Sequence, residues 1–290
     1  MSDKTILVPI DFNKQSIIAL EQTYNLAKLF KLDIVLLYVY EESGIMGKIF
    51  SASQSDEFSE QIKLQLEELA KETRKVSGLN ITTMVAKGKV HAKIHEIADM
   101  VGAKFIVMGI NSLGHDYDGR RNIGANTHKV IRSTKKPVIT ISSVSNYNGI
   151  RSILLPIDLT LESRQKVNNA IEIAKYFNAT IKVVSILWSH KDRQVVFKLN
   201  AQINQVEKFI EKNGIKCHAE IIEIDSEKMN IPTLLQYAKE QGDIDLIVIM
   251  TQQENALIEL FIDSTAQDII RTSDIPIISI TPKKIVEFIA

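Results

Sequence analysis

The chain repeats itself over almost its whole length, and this repeat restricts its fold more than any other feature. Laid on itself with a shift of 147 residues, Thr5-Ile6-Leu7-Val8-Pro9-Ile10-Asp11-Phe12 falls on Ser152-Ile153-Leu154-Leu155-Pro156-Ile157-Asp158-Leu159. At the same shift Ala27-Lys28-Leu29-Phe30 falls on Ala174-Lys175-Tyr176-Phe177. Near the far ends the match continues at a shift of 139, with Ile131-Arg132-Ser133-Thr134 on Ile270-Arg271-Thr272-Ser273 and Pro137 on Pro276. The smaller shift makes the second copy shorter in its middle. A unit this long is a duplicated domain, since solenoid units run to about 20–50 residues. The length of 290 residues suits two ordinary domains. Ser142 to Gly149 is rich in Ser, Asn and Gly and reads as the link. Domains are therefore expected at 1–145 and 150–284.

Within each copy the apolar pattern switches period. Short apolar runs at 4–10, 33–39, 81–86, 104–108 and 137–142 read as strands. Stretches with helical period lie between them, at about 13–31, 56–77, 90–101 and 122–134. The second copy places strands near 151–157, 180–186, 217–223, 245–249 and 276–280. Strands that alternate with helices predict an α/β chain of two repeated domains, each a five-stranded parallel open sheet with helices on both faces. Pro137 and Pro276 open the last strands, where a missing N–H is tolerated.

Charge and cysteine usage narrow the function classes. Lys plus Arg and Asp plus Glu are 35 each, and each half departs from balance by only about three charges, so no global field draws the chain to nucleic acid or to an acidic membrane. No apolar run approaches the ~20 residues of a spanning helix, and no secretory leader is expected. The single cysteine, Cys217, has no internal disulfide partner and fits a reducing cytoplasm.

Candidate chemistry lies beyond the carboxyl ends of the strands, where parallel open sheets bind ligands. Asp11 and Asp158 stand at the end of the first strand of each copy. Each carboxylate is placed either to accept hydrogen bonds from a ribose or an adenine amino group, or to cap the following helix. The fourth strand of the first copy ends at Gly109, followed by Gly114, Gly119 and Gly124, then by Ala125-Asn126-Thr127 opening a helix. Glycines let a backbone approach phosphate closely, and a helix N-terminus supplies unpaired N–H groups. Neither a P-loop ending nor a Gly-x-Gly-x-x-Gly fingerprint is present. Ten of the 12 glycines precede Ile150. The equivalent second-copy loop runs Met250-Thr251-Gln252-Gln253-Glu254, with Asp263 expected at the helix start in place of Gly124. A carboxylate there would repel phosphate, so the second copy is expected not to bind a nucleotide in this manner.

These residues resemble the universal stress protein family in its tandem two-domain form. The resemblance rests on the ILVPIDF opening, on FIVMGINSLG and on GANTHKVIRSTKKPVITI, with LLPIDL and DSTAQDIIRTSDIPIISI as second-copy counterparts. It implies an adenine nucleotide alpha hydrolase-like fold and an ATP site in domain 1. ATP-binding members carry Gly-x2-Gly-x9-Gly-Ser/Thr. Here four residues separate Gly109 from Gly114, Ser112 falls where the other glycine would, and Ala125 replaces the hydroxyl residue. By resemblance Asp11 meets ribose and adenine, and the backbone of Val39 meets adenine. The N–H groups of Gly109, Gly114, Gly124, Ala125 and Asn126 face the phosphates, with Arg120 and Arg121 as further loop charges. The resemblance also implies antiparallel pairing of the last strands, here Val138–Ile141 with Ile277–Ile280, as an intrachain pseudo-dimer, and a homodimer of chains.

Other constellations carry less. His91 and His95 share a helix face, but no third metal ligand is evident. No serine-hydrolase elbow occurs. Trp188 follows a second-copy strand, where it either lines a pocket or packs elsewhere. The segment Glu41 to Glu60 reads as a lid, a partner surface or a packed loop. The expected protein is a cytoplasmic stress-response protein that binds ATP or another adenine nucleotide in domain 1, with domain 2 structural or regulatory. The alternative is a nucleotide-free interaction module or small-ligand carrier with both sites degenerate. No strong general base is apparent, and slow ATP hydrolysis stays open.

Overall fold

A strand covered on both faces must be apolar at every position, because successive side chains point to opposite sides of the sheet. Ile6, Leu7 and Val8 meet that demand with no exposed surface, as do Ile153, Leu154 and Leu155 at the equivalent place. Each such side chain contributes about 1.5–3 kcal/mol by burial. The fold is taken from a computed structural model that describes residues 4–41, 52–110, 123–142, 149–158, 163–188, 193–251 and 259–281. The chain divides into two compact units, Met1–Ser145 and Asn146–Ala290.

The first unit contains β1 (Thr5–Pro9), α1 (Lys14–Phe30), β2 (Asp33–Tyr40), α2 (Ala52–Ser77), β3 (Ile81–Lys87), α3 (Val90–Met100), β4 (Ala103–Gly109), α4 (Ala125–Ser133) and β5 (Val138–Ile141). Its strands run in the order β3-β2-β1-β4-β5, and every neighbouring pair is parallel. The chain moves outward from β1 to β3, then returns to the other side of β1. Right-handed crossovers therefore place α1 and α2 on one face and α3 and α4 on the other. Side chains join the helices on each face. The Tyr24 hydroxyl of α1 donates to Thr73 Oγ1 of α2 at 3.5 Å, and His95 Nε2 of α3 lies 2.8 Å from Ser133 Oγ of α4.

The second unit follows the same plan with β6 (Ser152–Pro156), α5 (Ser163–Phe177), β7 (Thr180–Trp188), α6 (Arg193–Lys212), β8 (Cys217–Ile224), α7 (Asn230–Gln241), β9 (Leu246–Met250), α8 (Glu259–Thr272) and β10 (Ile277–Ile280). A short 3-10 turn, Glu227–Met229, precedes α7. The strand order is β8-β7-β6-β9-β10, again parallel at each pair. The repeat extends to single turns. α1 closes through Lys31 at φ 52°, with Leu32 N–H on Ala27 O at 2.9 Å. Asn178, also 147 residues on, stands at φ 53° with Ala179 N–H on Ala174 O at 3.0 Å.

Two features differ from the expectation. α8 begins at Glu259, so Asp263 lies inside the helix and not at its start. Its chain position is then not that of the helix N-terminus, and the expected repulsion of phosphate loses that ground. α2 begins at Ala52 rather than near residue 56. Residues 42–51, half of the segment Glu41 to Glu60, lie outside the described residues, and Ala52 to Glu60 belong to α2. Among the described residues no helix is long and apolar enough to cross a membrane.

Cys217 opens β8 and is half-buried. Burial first, and then the carboxylates of Glu207 and Glu211 on α6, push its thiol up to about 12. The thiolate is the reactive form, so the native thiol is expected to alkylate at least ~100-fold more slowly at pH 8 than the unfolded chain. Iodoacetamide labelling with and without denaturant measures this. The unfolded state loses its thiol proton first, so this contribution to stability is present below pH 9 and is lost as pH rises toward 12.

Candidate functional site

The strand order reverses between β1 and β4, which places the crevice of the first unit beyond their carboxyl ends. Asp11 follows β1 and is exposed. Its carboxylate accepts from the Asn13 N–H at 3.2 Å and from Asn13 Nδ2 at 2.6 Å. Asn13, not Asp11, caps α1: its Oδ1 accepts from the N–H groups of Gln15 and Ser16, both at 2.9 Å. Of the two roles open to Asp11, direct capping is thus taken by its neighbour. Asp11 braces the cap and keeps an exposed carboxylate at the crevice.

Phe12 lies between the two with φ 60°, a conformation rare for a bulky side chain. Its ring packs on Tyr38 of β2 with centroids 5.5 Å apart. Burial and then the Asp11 charge hold the Tyr38 phenol above its ordinary range, which places that carboxylate near the end of β2.

Val39 contributes its backbone. Leu37 O accepts from Ile10 N–H at 2.8 Å, so Leu37 turns its main-chain groups toward β1. Tyr40 O accepts from Gly88 N–H at 2.9 Å and faces the β3 side. Main-chain groups alternate along a strand, so Val39 faces the β1 side again. β1 has ended by that level, at Pro9 paired with Leu37. The N–H and C=O of Val39 therefore border the crevice.

Gly109 ends β4 under a packing constraint that its glycine identity alone did not reveal. A Cβ there would lie 2.5 Å from Gln15 O and 2.6 Å from Gln15 C. Only a glycine admits the first turn of α1 so close. On its other side the Gly109 carbonyl accepts from Thr127 Oγ1 of α4 at 3.4 Å. Gly109 thus holds the starts of two helices that flank the crevice.

α4 begins with Gly124 as its N-cap, at φ −54° and ψ 140°, and no side chain caps it. Its first turn carries no acidic residue. The N–H groups of Ala125 and Asn126 thus stand at a positive helix end with no side-chain acceptor at the cap. Gly114, Gly119, Ser112, Arg120 and Arg121 lie outside the described residues.

The histidine pair of α3 has a structural partner: His95 contacts Ser133, whose hydroxyl donates to Lys129 O at 2.6 Å. Burial holds the His95 imidazole below its ordinary value, against the pull of Asp99. Among the described residues no three His, Cys, Asp or Glu side chains are grouped to hold a metal ion. The sequence reading missed Asn13 and Gln15 and gave no role to Thr127 beyond opening α4, yet all three position the site. The Asn-x-Gln-Ser run after Asp11 carries a cap signal that could have found Asn13.

The universal stress protein family model matches residues 3–142 and again 149–280. Over 271 residues the chain is 22% identical to universal stress protein Slr1230 of Synechocystis, covering 88% of this chain and 89% of that one. It is 27% identical over 157 residues to universal stress protein MJ0577 of Methanocaldococcus jannaschii, covering 48% of this chain and 94% of that one. The crystal structure of a universal stress protein from Archaeoglobus fulgidus matches with a TM-score of 0.75 at 18% identity over 98% of each chain, a likeness of fold.

The contact at Gly109 makes a direct prediction. Gly109→Ala forces α1 away from β4 and should destabilise the first unit by ~1–3 kcal/mol, the usual cost of overpacking. A lowered urea midpoint measures it; an unchanged midpoint would show that the close approach is not a constraint.

Proposed function

The chain belongs to the universal stress protein family, with two copies of the family domain in tandem, and from that premise we propose that its first domain binds ATP or a related adenine nucleotide while the second is structural or regulatory. The observation that carries this reading is the start of α4, where a glycine cap leaves helix N–H groups without a side-chain acceptor beside the end of β4. Such a terminus favours an anion. In the proposed site the N–H groups of Gly109, Gly124, Ala125 and Asn126 hold the phosphates, and Gly114 joins them from the loop. Asp11 accepts from the ribose hydroxyls. The exposed backbone edge of Val39 pairs with the adenine rim, as N–H and C=O on one side of a strand suit a base edge.

Ala125 supplies no hydroxyl, so backbone groups carry the phosphate contacts. Asp11, being anionic, belongs at the sugar end. Binding would act on partners by favouring the loop arrangement that contacts the nucleotide, since a ligand shifts only states it binds differently. The nucleotide-free reading, an interaction module or small-ligand carrier, draws on Gly109, whose identity packing alone explains.

Two measurements test the proposal. Freshly purified protein is denatured and assayed for released adenine nucleotide, and ATP is then titrated by calorimetry. One site per chain is expected. Gly124→Asp puts a carboxylate at the cap of α4 and should weaken ATP by at least ~10-fold, since a charge at a helix end contributes ~0.3–2 kcal/mol and direct repulsion adds to it. Absence of both released nucleotide and binding heat would overturn the reading.

A further inference from the structure

A helix that follows a strand of a parallel sheet starts at the edge where the strands end, so its positive end lies beside the crevice. The first unit has described caps at the starts of α1, α3 and α4. Asn13 Oδ1 closes α1 by accepting from two N–H groups. Gly124 leaves α4 without a side-chain acceptor. α3 has Lys89 as its N-cap, with no hydrogen bond from the cap side chain and no acidic residue in its first turn. By its own residues α3 thus offers an anion the same uncapped end as α4.

A carboxylate from another element closes that end. Glu41 directly follows β2, and its Oε1 accepts from the N–H of Val90, the first residue of α3, at 2.9 Å. The residue before it is tied to the same turn, since Tyr40 O accepts from Gly88 N–H at 2.9 Å. Gly88 stands at φ 138°, a conformation that glycine adopts without strain, and so the turn brings the start of α3 against the end of β2. The Glu41 carboxylate stands where a phosphate oxygen would stand, as an anion on a helix N-terminal N–H.

The second unit separates this closure from folding. Glu41 becomes Trp188 there, and the strand registers agree, with Tyr40 opposite Lys87 and Leu187 opposite Glu223. An indole cannot accept from a helix N–H. β7, β8 and α7 nevertheless form, and no side chain of its cap bonds the start of α7. The fold therefore stands without a carboxylate at this place. In the first unit α3 and α4 share one face and meet through His95 and Ser133, so both starts look onto one crevice. The strands they follow, β3 and β4, are three positions apart, or about 14 Å at the spacing of neighbouring strands. A nucleoside triphosphate is long enough to bridge that distance, and two open ends would let it lie either way. We infer that Glu41 is a specificity-determining residue of the first crevice: its carboxylate occupies the start of α3 and closes that end to phosphate, which leaves α4 as the described helix start open to a phosphate chain. The direction of the phosphate chain rests on the nucleotide reading, whereas the closure rests on the Glu41 contact alone.

The test follows the backbone amides of the full chain by heteronuclear NMR while tripolyphosphate, which has neither sugar nor base, is titrated. In the unsubstituted protein Ala125 and Asn126 should shift saturably and Val90 should not. Glu41→Ala opens the start of α3, and Val90 should then shift saturably too, a response that a purely structural carboxylate would not govern. Glu41→Gln keeps an acceptor but drops the charge, and it should give the same shift at a higher tripolyphosphate concentration. Glu96→Ala removes a charge from the same helix away from its start and should leave Val90 silent. Circular dichroism confirms that the variants fold. A saturable Val90 shift in the unsubstituted protein, silence of Val90 in both Glu41 variants, or an equal response in Glu96→Ala would each overturn the inference. Silence of Ala125 and Asn126 in every form would instead overturn the nucleotide reading, and a Val90 shift confined to the Glu41 variants would still establish the closure.

Discussion

The contact between the first turn of α1 and the end of β4 sets the geometry of the first crevice. Gln15 O comes within 2.5 Å of the place a Cβ would take on Gly109, so the two elements meet backbone to backbone. The cap at Asn13 fixes where α1 starts, and the Asp11 carboxylate holds Asn13 through two hydrogen bonds. Phe12 must turn to φ 60° to let this happen, and its ring rests on Tyr38. Such strain persists only where surroundings over-determine it, as they do here. From Gly109 the chain of contacts passes to Thr127 and so to the uncapped start of α4. One glycine therefore connects the carboxylate end of the crevice to its positive end.

The second unit shows what happens when that glycine is absent. The fold survives, because its core lies in the strands and not in their final residues: Ile153, Leu154, Leu155, Ile247 and Val248 are all fully buried. The end of the sheet is rebuilt. Met250 fills the position of Gly109, and the groove beside it admits Lys166, the equivalent of Ala19. A lysine would not be tolerated against the tight packing of the first unit, where Ala19 is fully buried. Duplication thus supplies two frames of one architecture whose ligand ends answer to different packing rules.

The frame was legible in the sequence because its signal is long-range and redundant. The alternation of apolar runs and helical periods, stated twice, placed each strand within two residues, as with 33–39 against Asp33–Tyr40. The strand-end location of Asp11 and the helix starting at Ala125 followed from the same pattern. The rest was less legible for physical reasons. That Gly109 faces a helix backbone, or that Val39 turns its N–H toward the crevice, depends on register and packing, which no local motif encodes. The start of α8 was misplaced because Asp263 was aligned with Gly124 across copies of unequal length, and helix ends obey local capping rather than alignment. Glu41 went unnoticed as a partner of α3 because 49 residues separate it from Val90; only the fold brings them together.

The electrostatics of the first crevice restrict how any nucleotide can lie in it. With 35 charges of each sign, the chain exerts no long-range pull on a polyanion, so binding depends on short-range groups. Those groups have opposite polarity at the two ends. The start of α4 carries the partial positive charge of aligned peptide dipoles, with no acidic residue in its first turn to neutralise it. Beyond β1 stands Asp11, exposed and close enough to β2 to raise the Tyr38 phenol. Phosphates placed at Asp11 would face repulsion, whereas hydroxyl donors there would gain charge-assisted hydrogen bonds. In the proposed site a nucleotide would therefore lie with its phosphates toward Gly124 and its sugar toward Asp11. That direction would be set by a backbone end and a carboxylate, without any cationic side chain among the described residues needing to take part.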